Sequence, residues 1–367
     1  MATFHKTDYE LMARALRLAA RGVTSTQPNP RVGCVLWKDG QVVGEGWHRL
    51  AGEGHAEVLA LQAAAEKAHG ATAYVTLEPC AHHGRTGPCT DALIRARVAR
   101  VVIAMRDPFA TVAGPGSAAL QAAGIEVDSG LLESGARALN EGFLSRVERG
   151  RPFVRLKLAA SIDGATAMQS GESQWITGEA SRRDVQRLRA SSAAIMTGIG
   201  TVLADDPALT VRDIELPRAA PLRVIVDSNL RTPPTAQLLS ADAATLLCCT
   251  NDSARASVAR VGVEVLQLGA ERGGVSLPAV LAALAERDIN DLLVEAGPRL
   301  AGALMDQGLV DELVIYQAPH IMGSETRRLL TTPGWQTLQA RMPLRVTDRR
   351  QLGADLRITA RPVRRAD

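Results

Sequence analysis

Aromatic side chains are scarce: four Trp, three Tyr and four Phe amount to 3% of the 367 residues. Core packing must therefore draw on Leu, Val, Ile and Ala. Cysteine is sparse too. Cys34, Cys80, Cys89, Cys248 and Cys249 are odd in number and irregular in spacing, which is no disulfide framework and fits a reducing compartment. No apolar run approaches the length of a membrane span. The opening segment 8–21 (DYELMARALRLAAR) carries charges throughout and reads as an amphipathic helix, not a secretion leader. A cytoplasmic setting with no membrane partner is expected. A strong charge of either sign is also missing, since the formal net charge is +3. That is too little to hold nucleic acid by phosphate neutralisation, though it leaves room for a few arginines gathered at an anionic site.

What is present is ordinary globular material, 46% hydrophobic and 22% charged, in a chain long for one domain and comfortable for two. Apolar runs 32–37 (VGCVLW) and 41–47 (QVVGEGW) flank Lys38-Asp39-Gly40, a hairpin signal. An alanine-rich helix is expected over 55–68, a β-branched strand over 73–77, and a helix from Thr90 to Arg97 with Thr90 able to cap it. A strand over 100–105, a helix over 116–123 and a strand over 125–128 follow, then an amphipathic segment at 131–144. The charged stretch 145–152 (SRVERGRP) marks the expected junction between domains 1–148 and 149–367. Beyond it, strand patterns at 153–160, 193–197, 222–227, 244–249, 263–268, 291–295 and 312–317 accompany helix patterns at 179–191, 278–287 and 298–307. Both halves read as α/β layer structures.

The first half carries the sharper chemistry. His55-Ala56-Glu57 is followed by Pro79-Cys80 after an apolar strand, and then by Cys89. One histidine and two cysteines are a donor set suited to zinc, and three protein ligands leave the fourth tetrahedral position open, as in catalytic sites. Zinc in such a site activates water at neutral pH. Glu57, two residues past a ligand at the start of a helix, can sit beside that water without ligating the metal and carry its proton to a ring nitrogen and a departing amine. A helix opening near Cys89 favours its thiolate. The eight residues between the cysteines, where zinc nucleobase deaminases commonly have two, form a loop that brings His82, His83 and Arg85 towards a substrate. In the second half, Gly198-Ile199-Gly200 and Gly297-Pro298-Arg299-Leu300-Ala301-Gly302 each follow a strand and open a helix. Either could cradle phosphate or be a plain tight turn. Leu203 stands where a dinucleotide fingerprint needs its third glycine, so this is not a Rossmann signature.

Thr76-Leu-Glu-Pro-Cys-Ala-His-His-Gly-Arg-Thr-Gly-Pro-Cys89 and Pro28-Asn-Pro-Arg-Val-Gly33 resemble the zinc domain of the bacterial riboflavin-biosynthesis deaminase–reductase family. Residues 157–177, 197–212 and 294–303 resemble its reductase half, in the same order. The resemblance implies a cytidine-deaminase-like three-layer α/β/α domain followed by a dihydrofolate-reductase-like α/β domain. The implied substrate is a diaminopyrimidinone carrying a phosphoribosylamino group. Its C2 amino group leaves as ammonia, after which NADPH reduces the ribosyl group to ribityl. Carried over, Asn29 contacts the base beside the zinc. NADPH meets Ala159, Trp175, Thr201, Asp205, Ser228 and the stretch Gly297, Pro298, Arg299, Leu300, Ala301, Gly302 and Ala303. The substrate meets Ser173, Arg189, Leu209, Arg212 and Glu295, with Lys157 as a further contact. A homo-oligomer is also implied. On the residues alone, Asn29 could be a turn residue between prolines, Trp175 a core aromatic, and most of Arg182, Arg183, Arg187 and Arg189 a solvated helix face. The competing assignment is a nucleoside or tRNA zinc deaminase with an accessory C-terminal domain.

Overall fold

The computed structural model describes residues 3–81, 87–109 and 114–363. The chain divides into two compact units, Met1–Gly150 and Arg151–Asp367.

In the first unit, α1 (Lys6–Ala19) precedes the hairpin β1 (Gly33–Lys38) and β2 (Gln41–Trp47). Then come α2 (Ala56–Ala64), β3 (Thr72–Leu77), α3 (Cys89–Arg95), β4 (Arg100–Met105), α4 (Pro115–Ala122), β5 (Glu126–Ser129), α5 (Glu133–Leu139) and α6 (Glu141–Arg149). The hairpin turns at Asp39 and Gly40, with φ of 48° and 79°, the left-handed pair that a two-residue turn needs. The sheet order is β2-β1-β3-β4-β5. β1 is antiparallel to β2 and β3, whereas β3, β4 and β5 are parallel. Side chains alternate between two buried faces. Cys34, Leu36, Ala73, Val75, Val101 and Ile103 pack with Ala56 and Ala60 of α2, Leu93 of α3 and Leu120 of α4. Val35, Tyr74, Val102 and Ala104 pack instead with Leu11, Met12 and Ala15 of α1, Ala136 of α5 and Phe143 of α6. The unit is three layers, α/β/α.

The amphipathic segment 131–144 forms two helices, α5 and α6, that meet at Asn140, whose side chain is bonded to residue 31 and to the Ala136 carbonyl. One sequence expectation needs correction here. Thr90 does not cap α3, because that helix already begins at Cys89 and no side chain caps it. Thr90 is buried in the first turn and its hydroxyl donates to the Cys80 carbonyl at 3.3 Å.

The second unit runs β6 (Phe153–Ser161), β7 (Ala165–Met168), α7 (Glu179–Ser191), β8 (Ala194–Gly198), α8 (Ile199–Asp205), β9 (Leu222–Val226), β10 (Thr245–Cys249), α9 (Arg255–Val258) and β11 (Val263–Gln267). It continues through β12 (Ala270–Glu271), β13 (Gly274–Val275), α10 (Leu277–Glu286), β14 (Asp291–Glu295), α11 (Pro298–Asp306), β15 (Glu312–Ala318), β16 (Thr326–Arg328), β17 (Leu344–Leu352) and β18 (Asp355–Pro362). A nine-stranded sheet has the order β11-β10-β9-β8-β14-β6-β15-β18-β17, parallel except for the last two strands. One face packs α10 and α11 through Leu281, Leu284, Leu304 and Met305, and the other packs α8 and α9 through Val202 and Val258. The β17–β18 hairpin escapes sequence patterning because most of β17 faces solvent and has no apolar alternation.

Helix α2, which carries Glu57, lies directly on β2. A Cβ placed on Gly46 would stand 2.3 Å from the Ala56 carbonyl and 2.6 Å from Ala60 N, and one on Gly44 would stand 2.3 Å from the Ala60 carbonyl. These glycines let backbone meet backbone, and the alanines of α2 complete the contact. Gly46→Ala is expected to cost about 1–3 kcal/mol by overpacking, seen as a lowered unfolding transition of the first unit in calorimetry.

Asp8, in the first turn of α1, is buried against Tyr74 and Arg100. Burial pushes its carboxyl up, but hydrogen bonds from the His5 backbone, Tyr74 and Arg100 outweigh that and hold it below its ordinary value. A depressed native pKa contributes stability above the unfolded value of about 3.9 and loses it as pH falls through the native value. Asp8→Asn is therefore expected to lower stability at neutral pH and to flatten its decline below about pH 4, as followed by urea unfolding across pH.

Candidate active sites

In the first unit, three ligand atoms converge. The Nδ1/Nε2 of His55 and the Sγ atoms of Cys80 and Cys89 all lie within 4.8 Å of one another. His55 Nδ1 stands 3.1 Å from Cys89 Sγ and 3.6 Å from Cys80 Sγ. Three elements bring them together. His55 occupies the cap position of α2. Cys80 follows the end of β3, and Cys89 opens α3. The Cys89 backbone N–H points at the Cys80 sulfur at 3.4 Å. Hydrogen bonds from Cys89 and His55 outweigh burial and hold the Cys80 thiol down to about 4, while Cys89, on the donating side of the same pair and buried, is pushed up. Between them the two sulfurs keep a thiolate at Cys80, the form that ligates metal. The donor set and its closeness fit a zinc ion, with His55, Cys80 and Cys89 as its holders.

Glu57 lies in the first turn of α2, only 3% exposed, with its carboxyl against Cys89. Burial raises its pKa, partly offset by His55, the direction that suits a group passing a proton back and forth near neutrality. Asn29 Nδ2 is 3.0 Å from His48 Nε2, and His48 Nδ1 is 3.3 Å from the Gly54 carbonyl. The His48 ring stands edge-on to the His55 ring, centroids 5.4 Å apart. Asn29 is thus bonded to a histidine that packs against His55. His82, His83 and Arg85 lie outside the described residues.

Sequence reasoning missed two side chains here. His48 is a lone histidine past a strand, with no spacing motif to mark it. Glu78 is buried, and its carboxylate accepts from Gly114 N, Ser117 N, Asp107 N and, at 2.8 Å, the Ser117 hydroxyl. It ties the chain just before Pro79-Cys80 to the start of α4. Its partners are remote in sequence, so nothing local signals the role.

In the second unit Glu295 and Gly198 stand at the ends of parallel strands, the usual ligand crevice of such sheets, and Lys157 and Ala159 lie within β6. Lys157 and Glu295 face each other in the β6–β14 register, with Lys157 Nζ 3.9 Å from Glu295 Oε2. Arg189 of α7 donates to both Glu295 oxygens, at 2.6 and 3.1 Å, and to the Thr210 carbonyl at 2.9 Å. Burial pushes Glu295 up, but Arg189 and Lys157, with Arg212, outweigh it and hold it below its ordinary value; burial pushes Lys157 down. Leu209 is buried at φ 48° in the loop that also carries Arg212, itself exposed and held by its N–H to Gln186 Oε1 at 2.9 Å.

The expected cofactor residues are placed as follows. Gly198 and Gly297 cap α8 and α11 from neighbouring strands, and Gly297 N donates to Thr201 Oγ1 at 3.1 Å. Gly200 is exposed and a Cβ there would meet no neighbour within 4 Å. Chain packing therefore does not require that helical glycine, and the uncovered backbone there leaves room for a cofactor. Asp205 accepts from Ser173 Oγ at 3.2 Å. Ser228 Oγ accepts from Val275 N at 3.2 Å. Ala159 lies half-buried on β6. Trp175 is 66% exposed with Arg182 over its ring at 4.8 Å, so it is not a core aromatic. Along 297–303, Ala301 and Gly302 are buried, Arg299 is exposed, and Pro298, Leu300 and Ala303 are intermediate. Gly302 has a packing reason of its own, since a Cβ there would stand 1.8 Å from the Thr331 carbonyl.

The chain matches the family model for the cytidine and deoxycytidylate deaminase zinc-binding region over residues 5–105 and that for the RibD C-terminal domain over 152–357. It is 51% identical over 360 residues to the riboflavin biosynthesis protein RibD of Escherichia coli K12, covering 95% of this chain and 98% of that one. The Haemophilus influenzae protein of the same name is 44% identical over 99% of both chains. Among solved structures, Acinetobacter baumannii RibD (form 1) matches with a TM-score of 0.91 at 44% identity, over 98% of this chain and 99% of that one. The Thermotoga maritima diaminohydroxyphosphoribosylaminopyrimidine deaminase/5-amino-6-(5-phosphoribosylamino)uracil reductase matches at 0.88 and 33% identity, over 98% of this chain and 100% of that one. With both halves matched in order and relatives aligned over nearly their whole length, the chain belongs to the RibD family of riboflavin-biosynthesis proteins.

Proposed function

We propose that the chain deaminates 2,5-diamino-6-(5-phosphoribosylamino)pyrimidin-4-one to 5-amino-6-(5-phosphoribosylamino)uracil in its first unit and reduces the ribosyl group to ribityl with NADPH in its second. The observation that carries this reading is the convergence of His55, Cys80 and Cys89, three ligands among the described residues, with buried Glu57 beside them. A structural zinc site needs neither an open position nor an acid, which disfavours a purely regulatory zinc module.

Zinc held there supplies Lewis-acid activation of water. Glu57 takes one water proton as oxygen attacks C2 and gives it to the ring nitrogen, then carries the proton of the hydroxyl now on C2 to the amino group, which leaves as ammonia as the C2 carbonyl forms. Asn29, oriented by His48, meets the base. In the second unit NADPH supplies hydride to the anomeric carbon, and Ala159, Trp175, Thr201, Asp205, Ser228 and 297–303 hold it. Ser173, Leu209, Arg212 and the Lys157–Arg189–Glu295 group meet the substrate. Arg189 and Glu295 neutralise each other, so the trio presents one net positive charge from Lys157, and Arg212 adds a second, suited to a phosphorylated sugar. The substrate is a small molecule, and no helix among the described residues is long and apolar enough to cross a membrane. A homo-oligomer acting in the cytoplasm, without nucleic acid, completes the reading.

Purified zinc-loaded protein should release ammonia from the diaminopyrimidinone with or without NADPH, and should oxidise NADPH, followed at 340 nm, only after deamination. Ammonia without NADPH oxidation would sink the reductase assignment. Glu57→Gln is expected to lower ammonia release by about 10²–10⁴-fold, with bound zinc and NADPH oxidation on the deaminated compound retained. Arg189→Ala removes both hydrogen bonds to buried Glu295 and leaves it to Lys157 and the more distant Arg212. It is expected to destabilise the second unit by about 3–5 kcal/mol and to depress NADPH oxidation while ammonia release persists.

A further inference from the structure

We propose that Asn140 is a positioning residue of the deaminase site, acting through the backbone of Arg31 on the substrate-contacting Asn29. The proposal rests on the reading of Asn29 given above.

Asn140 stands at the cap position of α6, where an asparagine ordinarily accepts from the first free N–H groups of its own helix. It makes no such cap. Its Oδ1 accepts from Arg31 N at 2.8 Å, and its Nδ2 donates to the Arg31 carbonyl at 3.0 Å and to the Ala136 carbonyl at 3.3 Å. The residue is 2% exposed, and both amide hydrogens are engaged. An amide bonded to both the N–H and the C=O of one residue fixes that residue in position and orientation, as a strand partner would. The Arg31 guanidinium adds a bond to the Leu139 carbonyl at 2.5 Å.

The segment held in this way leads straight to the chemistry. Two residues before Arg31, Asn29 N donates to the Thr26 carbonyl at 2.9 Å, and Asn29 Nδ2 reaches His48 Nε2 at 3.0 Å. For that bond His48 Nε2 must accept, so the ring proton sits on Nδ1, facing the Gly54 carbonyl. One residue after Arg31, the Val32 carbonyl accepts from His48 N at 2.9 Å. Gly33 N then donates to Thr76 Oγ1 at 3.1 Å, against α1, where a Cβ would stand 2.1 Å from the Ala15 carbonyl. Segment 29–33 is therefore held by His48, Thr76 and α1, and Asn140 adds a hold on the backbone of residue 31 from 109 residues away in sequence. Removing Asn140 takes away both bonds that fix the backbone of residue 31, two residues from the Asn29 carboxamide. A displacement of an ångström at a positioning group can cost about 10²-fold in rate.

The test is a double-mutant cycle on the full-length, zinc-loaded chain. Deamination kcat and KM are read by ammonia release, zinc content is measured, and NADPH oxidation on 5-amino-6-(5-phosphoribosylamino)uracil serves as an internal control. Asn140→Ala should lower deamination kcat/KM by roughly 10–100-fold, with zinc content and NADPH oxidation unchanged. Added to Asn29→Ala, it should cost no more than about twofold further, because coupled residues are not additive. Full additivity, or unchanged deamination in Asn140→Ala, overturns the proposal alone. Unchanged deamination in Asn29→Ala removes the reading of Asn29 and the proposal with it. Should Asn140→Ala not fold, Asn140→Ser keeps a hydroxyl on the same Cβ and enters the same cycle with the same deciding outcomes.

Discussion

A parallel strand covered on both faces has no free surface along its length, so a side chain can meet a ligand only where the strand stops. Both units follow that constraint. β3 and β4 are almost wholly buried, and the zinc-type ligands appear just past the end of β3 and at the start of the helix that follows. In the larger sheet, the ends of β14 and β8 carry Glu295 and Gly198 on adjacent strands, and Lys157 reaches Glu295 from the middle of the neighbouring β6. Gly198 and Gly297 cap the helices that follow β8 and β14, and helix starts of this kind suit an anion.

The two sites manage charge differently. The first buries an acid beside the histidine–cysteine cluster, Glu57, whose carboxyl is pushed towards its neutral form by burial. The second buries charges in compensating arrangement. Arg189 grips Glu295 with two bonds, and Lys157 stands opposite on the next strand. Such a group is costly to desolvate and strongly destabilised when one member is removed. The glycines of β2 serve the first site in a similar way, since α2 can bring Glu57 to the metal ligands only by lying at backbone contact on the sheet.

Much of this is legible in the amino-acid pattern alone. Period-two strands and helix patterns recover most elements within a residue or two, because both units alternate apolar positions between buried faces. His55, Glu57, Cys80 and Cys89 are legible because few side chains ligate zinc and their spacing follows one strand and two helix starts. The last hairpin is not, since its first strand is solvated. The break at Asn140 is not either, because the amphipathic period continues across it while its cause lies at residue 31.

The sequence by itself determined the chemistry available: a histidine–cysteine donor set with an acid beside it, a hairpin at Asp39-Gly40, and glycines after strands at 198–200 and 297–302 in the second half. These are local properties, set by side-chain type and by the backbone preferences of a few residues. Tertiary structure alone decided who partners whom. Glu78 reaches the start of α4, Asn140 grips Arg31, His48 meets Asn29, and Arg189 is bonded to Glu295 instead of standing free on a solvated helix face. Each of these joins residues far apart in the chain. Their distances are set by how helices pack on a closed set of strands, which no local pattern encodes.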